Sequence, residues 1–121
     1  MHLLFMLLTS GSPGEHQREV SGENRFVQGG FGTDFTNAEL TVRLKGELLA
    51  KNTQLLLLCQ GVHQGICTGW LLTGQPINVT SEWSEQTIKA VPDESAWTCL
   101  GSRHDRSDYY GRTPLRTVLS D

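Results

Sequence analysis

Residues 38–45 read Ala-Glu-Leu-Thr-Val-Arg-Leu-Lys, with Ala38, Leu40, Val42 and Leu44 alternating with Glu39, Thr41, Arg43 and Lys45. Successive side chains of an extended chain point to opposite faces, so this rhythm predicts a strand with one face on a core and the other in water. Working outward, Gly46 to Asn52 make a connection, and residues 55–59, four leucines and Cys59, form a continuous apolar run. That run is too short for a helix with its own core face and suits a strand buried on both sides. Residues 61–65 have the composition of a hairpin loop, leading into a third strand over 66–73 with Trp70 as its core anchor. Gly74, Gln75 and Pro76 break that strand. After a short extended piece over 77–80, residues 81–85 turn the chain into a fourth strand over 86–91, with Ile88 and Ala90 on one face.

Residues 92–94 make a turn, 97–100 a brief strand, and 101–111 a polar loop. The tail changes period: Thr113 reads as an N-cap with Pro114 at the first helical position, and Leu115, Val118 and Leu119 fall at helical spacing. Trp70 and Trp83 both read as core or rim packing, and His63 as a surface residue of the hairpin loop. Short strands, glycine-rich turns and one short helix predict an all-β, antiparallel β-sandwich. Residues 1–25 read as an irregular leader or weakly signal-like start, and 26–121 as the β-sandwich domain.

Composition bounds the function. A chain of 121 residues is one domain, and its 37% apolar and 19% charged residues argue against global disorder. Ten Lys and Arg against thirteen Asp and Glu leave no basic excess for a phosphate backbone, which excludes nucleic acid as the expected partner. No apolar run approaches the roughly 18 residues that span a bilayer. The apolar start at residues 1–8 reads either as a short signal-like segment or as an apolar strand, so the compartment stays open between secretory or extracellular and cytoplasmic. Asn78-Val79-Thr80 is a glycosylation sequon only in a eukaryotic secretory setting. The three cysteines, Cys59, Cys67 and Cys99, are an odd set without a CxxC pair; buried free thiols are the plainer expectation, with a Cys59–Cys67 bridge open in an oxidising compartment.

Four features in order carry a family resemblance: the glycine-rich entry Gly29-Gly30-Phe31-Gly32 into the alternating strand; the apolar run 55–59; Val79, Thr80 and Trp83 leading into the strand 86–91; and a Trp97 loop followed by the helix of residues 113–119. Over residues 26–121 the chain resembles the galactose-binding-like jelly-roll superfamily, in particular modules such as laminin domain IV, and more loosely carbohydrate-binding modules. The resemblance implies a jelly-roll sandwich. Such modules continue past that helix with one or two strands that close a sheet, and here nothing follows Asp121. The expectation is therefore an incomplete sandwich lacking its last strand or strands: a fragment, a truncated gene product, or a chain whose sheet a second copy or a partner chain completes.

The densest polar cluster is Arg103-His104-Asp105-Arg106-Ser107-Asp108-Tyr109-Tyr110. Aromatic rings stack on sugar faces while carboxylates and guanidinium groups hydrogen-bond hydroxyls. Trp97, Tyr109 and Tyr110 would supply the rings, and Arg103, His104, Asp105, Arg106 and Asp108 the polar groups. A second reading puts calcium on Asp105 and Asp108, although the spacing is not that of an EF-hand and calcium in modules of this resemblance often rests on backbone oxygens elsewhere. The plainest reading is a solvated loop whose arginines pair with its aspartates. No cofactor is otherwise implied. Catalysis finds little footing: Glu82 and Glu85, or Asp105 and Asp108, are sequence neighbours rather than carboxyls facing across a cleft. His104 beside Asp105 lacks an activated nucleophile, and Cys99 with His104 is better read as a packed thiol. The expected function is a non-catalytic module recognising a glycan or a protein surface; the alternative is a structural or interaction module of a larger assembly with no small-molecule ligand, and a carbohydrate-active enzyme ranks third.

Overall fold

The computed structural model describes residues 29–30, 34–48, 54–101 and 108–120. The leader over 1–25 therefore lies outside the described residues. The regular elements among the described residues are two antiparallel sheets, one short α-helix and a single 3-10 turn at Glu94–Ala96. The first sheet pairs β1 (Glu39–Leu44) with β4 (Ser84–Lys89), in a register that sets Leu40 opposite Ile88 and Thr41 opposite Thr87. The second places β3 (Ile66–Leu71) between β2 (Leu58–His63) and β5 (Thr98–Cys99). The helix α1 spans Leu115–Ser120. Among the described residues no helix is long and apolar enough to cross a membrane.

The alternation over 38–45 does what its period predicts. Glu39, Thr41 and Arg43 are exposed while Leu40, Val42 and Leu44 are half-buried, and on β4 Ile88, followed by Ala90, goes into the core. One apolar cluster draws on both sheets and the helix: Trp70 and Leu72, Ile88 and Ala90, Trp97, and Leu115 and Leu119, with Val42, Leu57, Ile77 and Val118 packed against it. Two glutamines sew the intervening segment to β4. The Gln86 amide donates to the Pro76 carbonyl and accepts from the Asn78 N–H, and the Gln75 amide both accepts from the Lys89 N–H and donates to the Lys89 carbonyl. At the turn before β5, the Asp93 carboxylate accepts from the Ser95 hydroxyl and N–H, and these bonds hold it below the usual carboxylate range.

The second sheet departs from the pattern read along the chain. The run 55–59 is not a strand buried on both faces: all five residues are half-buried, and Leu55 makes only an isolated bridge to Ile77. The ladder instead starts at Leu58 and continues through Gly61, Val62 and His63, so the loop expected over 61–65 shrinks to Gln64-Gly65. Both turn residues have positive φ, 50° at Gln64 and 81° at Gly65, the twist that lets a two-residue turn join right-twisted strands without splaying them. A tight turn frees Gly61 to His63 for pairing.

Two tryptophans exchange roles. Trp97 is a correction: it is 5% exposed, its indole N–H donating to the Val91 carbonyl, and it belongs to the core rather than to a sugar-stacking surface. Trp83 was expected in the core or its rim but is 60% exposed, with the Arg43 guanidinium 5.0 Å above its ring. The helix begins one residue later than expected: Pro114 supplies the first accepting carbonyl, and the Glu94 carboxylate takes the Leu115 N–H at 3.1 Å. All three cysteines are free thiols, with Cys67 buried. Burial pushes the Cys59 thiol from 9.0 up to about 11.

Candidate functional site

β3 is the central strand of its sheet, and its free side is shared by two other segments. Toward its C-terminal end Trp70 and Leu71 pair with Cys99 and Thr98 of β5, and the Leu100 N–H donates to the Gly69 carbonyl. Toward its N-terminal end Cys67 takes a parallel bridge to Tyr110: its N–H donates to the Tyr109 carbonyl at 2.6 Å, and its carbonyl accepts from the Gly111 N–H at 3.0 Å. The chain thus leaves β3 near Leu100 and returns to the same strand at Tyr109.

The return is fixed by the core. The Thr113 N–H donates to the buried Thr68 hydroxyl at 2.9 Å, and the Thr113 carbonyl accepts from the Trp70 indole N–H at 3.0 Å. Gly111 is required by proximity: a Cβ there would lie 2.6 Å from the Ile66 Cγ2. Segment 109–113 is therefore pressed against β3, with Tyr110 beside the β2–β3 hairpin.

Between hairpin and returning segment lies an open depression of about 440 Å³, lined by His63, Gln64 and Ile66 on one side and Tyr110, Gly111 and Arg112 on the other, with Thr113 and Pro114 at its end. The Tyr109 and Tyr110 rings meet edge to face, with centroids 4.9 Å apart at 75°. Both residues are half-buried, and Asp108 is exposed. The exposed Arg112 lays its guanidinium over Gly101, where a Cβ would come 3.4 Å from its Nε and where φ is +58°. The described lining therefore offers an aromatic ring, an imidazole, a guanidinium and an amide, a donor-rich set without a carboxylate.

Of the residues singled out along the chain, Tyr110 lines the depression and Tyr109 packs on it, while Trp97 is in the core. Arg103, His104, Asp105 and Arg106 lie outside the described residues, and with them the calcium reading on Asp105 and Asp108. Among the described residues no three of His, Cys, Asp and Glu come together as metal ligands. His63 and Arg112 were missed. A tight turn after His63 puts that side chain at the sheet end, and Arg112 follows the glycine that brings the chain onto β3, but only the pairing of residues 67 and 110 unites them. No protein-family model, curated protein or solved structure matches this chain.

Proposed function

We propose that this chain is a non-catalytic recognition module of jelly-roll kind, contacting a glycan or the surface of another protein through the end of the sheet where the β2–β3 hairpin meets residues 109–112. The observation that carries the reading is the Tyr109–Tyr110 pair beside an open depression edged by His63 and Arg112. Tyrosine offers both a flat apolar face and a hydroxyl, and a guanidinium gives directional donors to hydroxyl or carboxylate oxygens. The depression is too open to enclose a small molecule, which favours the end of a saccharide chain or a protruding protein segment as occupant.

Glycan-array binding followed by calorimetry on the full chain tests this reading. Retention of a saccharide, lost in a Tyr109→Ala/Tyr110→Ala variant that keeps its circular dichroism, supports the glycan version. No retained saccharide, or retention indifferent to those tyrosines, removes it.

A second reading, an interaction module of a larger assembly without a small-molecule ligand, is favoured by the exposed Trp83 under Arg43. Tryptophan and arginine are the residue types that dominate protein–protein hot spots.

A further inference from the structure

We infer that β1 is a self-pairing edge, along which two copies of this chain join antiparallel about a two-fold axis through Thr41 to form a continuous sheet, β4–β1–β1–β4. The inference stands apart from the glycan or protein-surface reading at Tyr109 and Tyr110 and uses none of the residues of that site, sharing only Arg43 with the second reading above.

The backbone geometry comes first. In an antiparallel ladder, residues alternate between pairs that exchange both hydrogen bonds and pairs whose N–H and C=O point away from each other. Ala90 donates to the Ala38 carbonyl, which fixes the phase: Leu40–Ile88 and Val42–Gln86 are the bonded pairs, and Glu39–Lys89, Thr41–Thr87 and Arg43–Glu85 are the outward ones. The outward groups of β4 confirm the phase, because the Lys89 N–H and C=O are both taken by the Gln75 side-chain amide. That amide stands where a neighbouring strand would and closes β4 at this point. β1 has no such cover: among the described residues its sheet ends there, leaving the N–H and C=O of Glu39, Thr41 and Arg43 directed outward. An uncovered edge without proline or bulge is a template for another strand.

The side chains name the strand that fits. With Thr41 opposite Thr41 of the second copy, Glu39 falls opposite Arg43, twice by symmetry. On the exposed face the row across the joined sheet then reads Lys89, Glu39, Arg43, Glu85, alternating in sign throughout. The Lys89–Glu39 link, at 3.5 Å, already exists within each chain. The next row is threonine alone, extending the contact in which the Thr41 and Thr87 hydroxyls lie 3.2 Å apart. On the opposite face Leu40 meets Val42 and Ala38 meets Leu44, so apolar residues meet apolar ones. Opposite-charge and hydroxyl pairs directly across strands stabilise a ladder, and like charges there oppose it. A parallel arrangement in register would set Glu39 near Glu39 and Arg43 near Arg43.

Sedimentation equilibrium of the full chain over a concentration series tests the inference, with circular dichroism confirming that each variant folds. The expected result is an approach to twice the 13.4 kDa chain mass. Glu39→Arg alone and Arg43→Glu alone each weaken self-association about tenfold or more, since each sets like charges opposite one another twice. An equimolar mixture of the two variants recovers the dimer, because both charged pairs across the β1–β1 seam are then of opposite sign, while the like-charge pairs each reversal creates against β4 are the same in the mixture as in the variants alone. Thr41→Pro abolishes dimerisation while leaving the β1–β4 ladder intact, its N–H pointing away from β4. A wild-type chain that stays monomeric across the series, or a dimer indifferent to both charge reversals, overturns the inference. Two weakened variants that do not recover on mixing overturn the Thr41-centred register.

Discussion

The indole N–H of Trp70 donates to the carbonyl of Thr113 at 3.0 Å inside the core, while the N–H of the same Thr113 donates to Thr68, two residues earlier on β3. One peptide segment is held from both sides by side chains of one strand. This double attachment sets where residues 109–113 run and where α1 begins.

Replacing Thr68 by valine keeps the shape and removes the hydroxyl. The Thr113 N–H is then buried without its acceptor, and the expected loss is about 1–3 kcal/mol of unfolding free energy. Thr68→Ser, which retains the oxygen, should lose only about 1 kcal/mol for the missing methyl. Urea denaturation with an unchanged m-value measures both; equal losses would show that the hydrogen bond is not what matters.

Gly111→Ala forces a Cβ to within 2.6 Å of the Ile66 Cγ2. Neither side can move freely, because Gly111 is bonded to Cys67 and Ile66 starts β3 opposite His63. The expected cost is about 1–3 kcal/mol, as for overpacking elsewhere. In an Ile66→Ala background the added cost of Gly111→Ala should fall to under about 0.5 kcal/mol, and a thermodynamic cycle of the four chains reads that coupling.

Cys59 gives a pH dependence. Its thiol is raised by burial from 9.0 to about 11, so the folded chain holds this proton where the unfolded chain releases it. The contribution of this group is fully present below pH 9.0, declines as pH rises, and levels off above about 11. The quantity to measure is the difference in unfolding free energy between wild type and Cys59→Ala, in which contributions common to both chains cancel, and which should be flat below pH 9.0 and fall between there and about 11. A difference independent of pH would refute the assignment.

The period-two pattern made β1 legible in the sequence and gave the facing of Ile88 and Ala90, but β4 runs over Ser84–Lys89 rather than 86–91 and takes in two residues of the expected turn. It also held the answer for Trp83: with Ile88 inside, steps of two place Gln86 and Ser84 inward and Trp83 outward, as observed. Composition alone favoured burying an indole, and the parity of the strand overrode it. The extent of β2 was hidden because a glutamine at a left-handed turn position is unusual, so Gln64-Gly65 did not read as a two-residue turn. The candidate site was least legible. Tyr110 carried a compositional signal, but its neighbours His63 and Arg112 meet it only through the bridge of residues 67 and 110, a long-range pairing with no local signature.

Because the segment between Leu100 and Tyr109 sets out from β3 and comes back to β3, its two feet stand on one rigid support. Varying the length of a surface connection alters closure entropy only slowly, by about 0.6 kcal/mol per doubling. The two points of attachment, at Leu100 and Tyr109, are therefore fixed relative to one another by β3 itself, so a change in the length of chain between them leaves both footings in place.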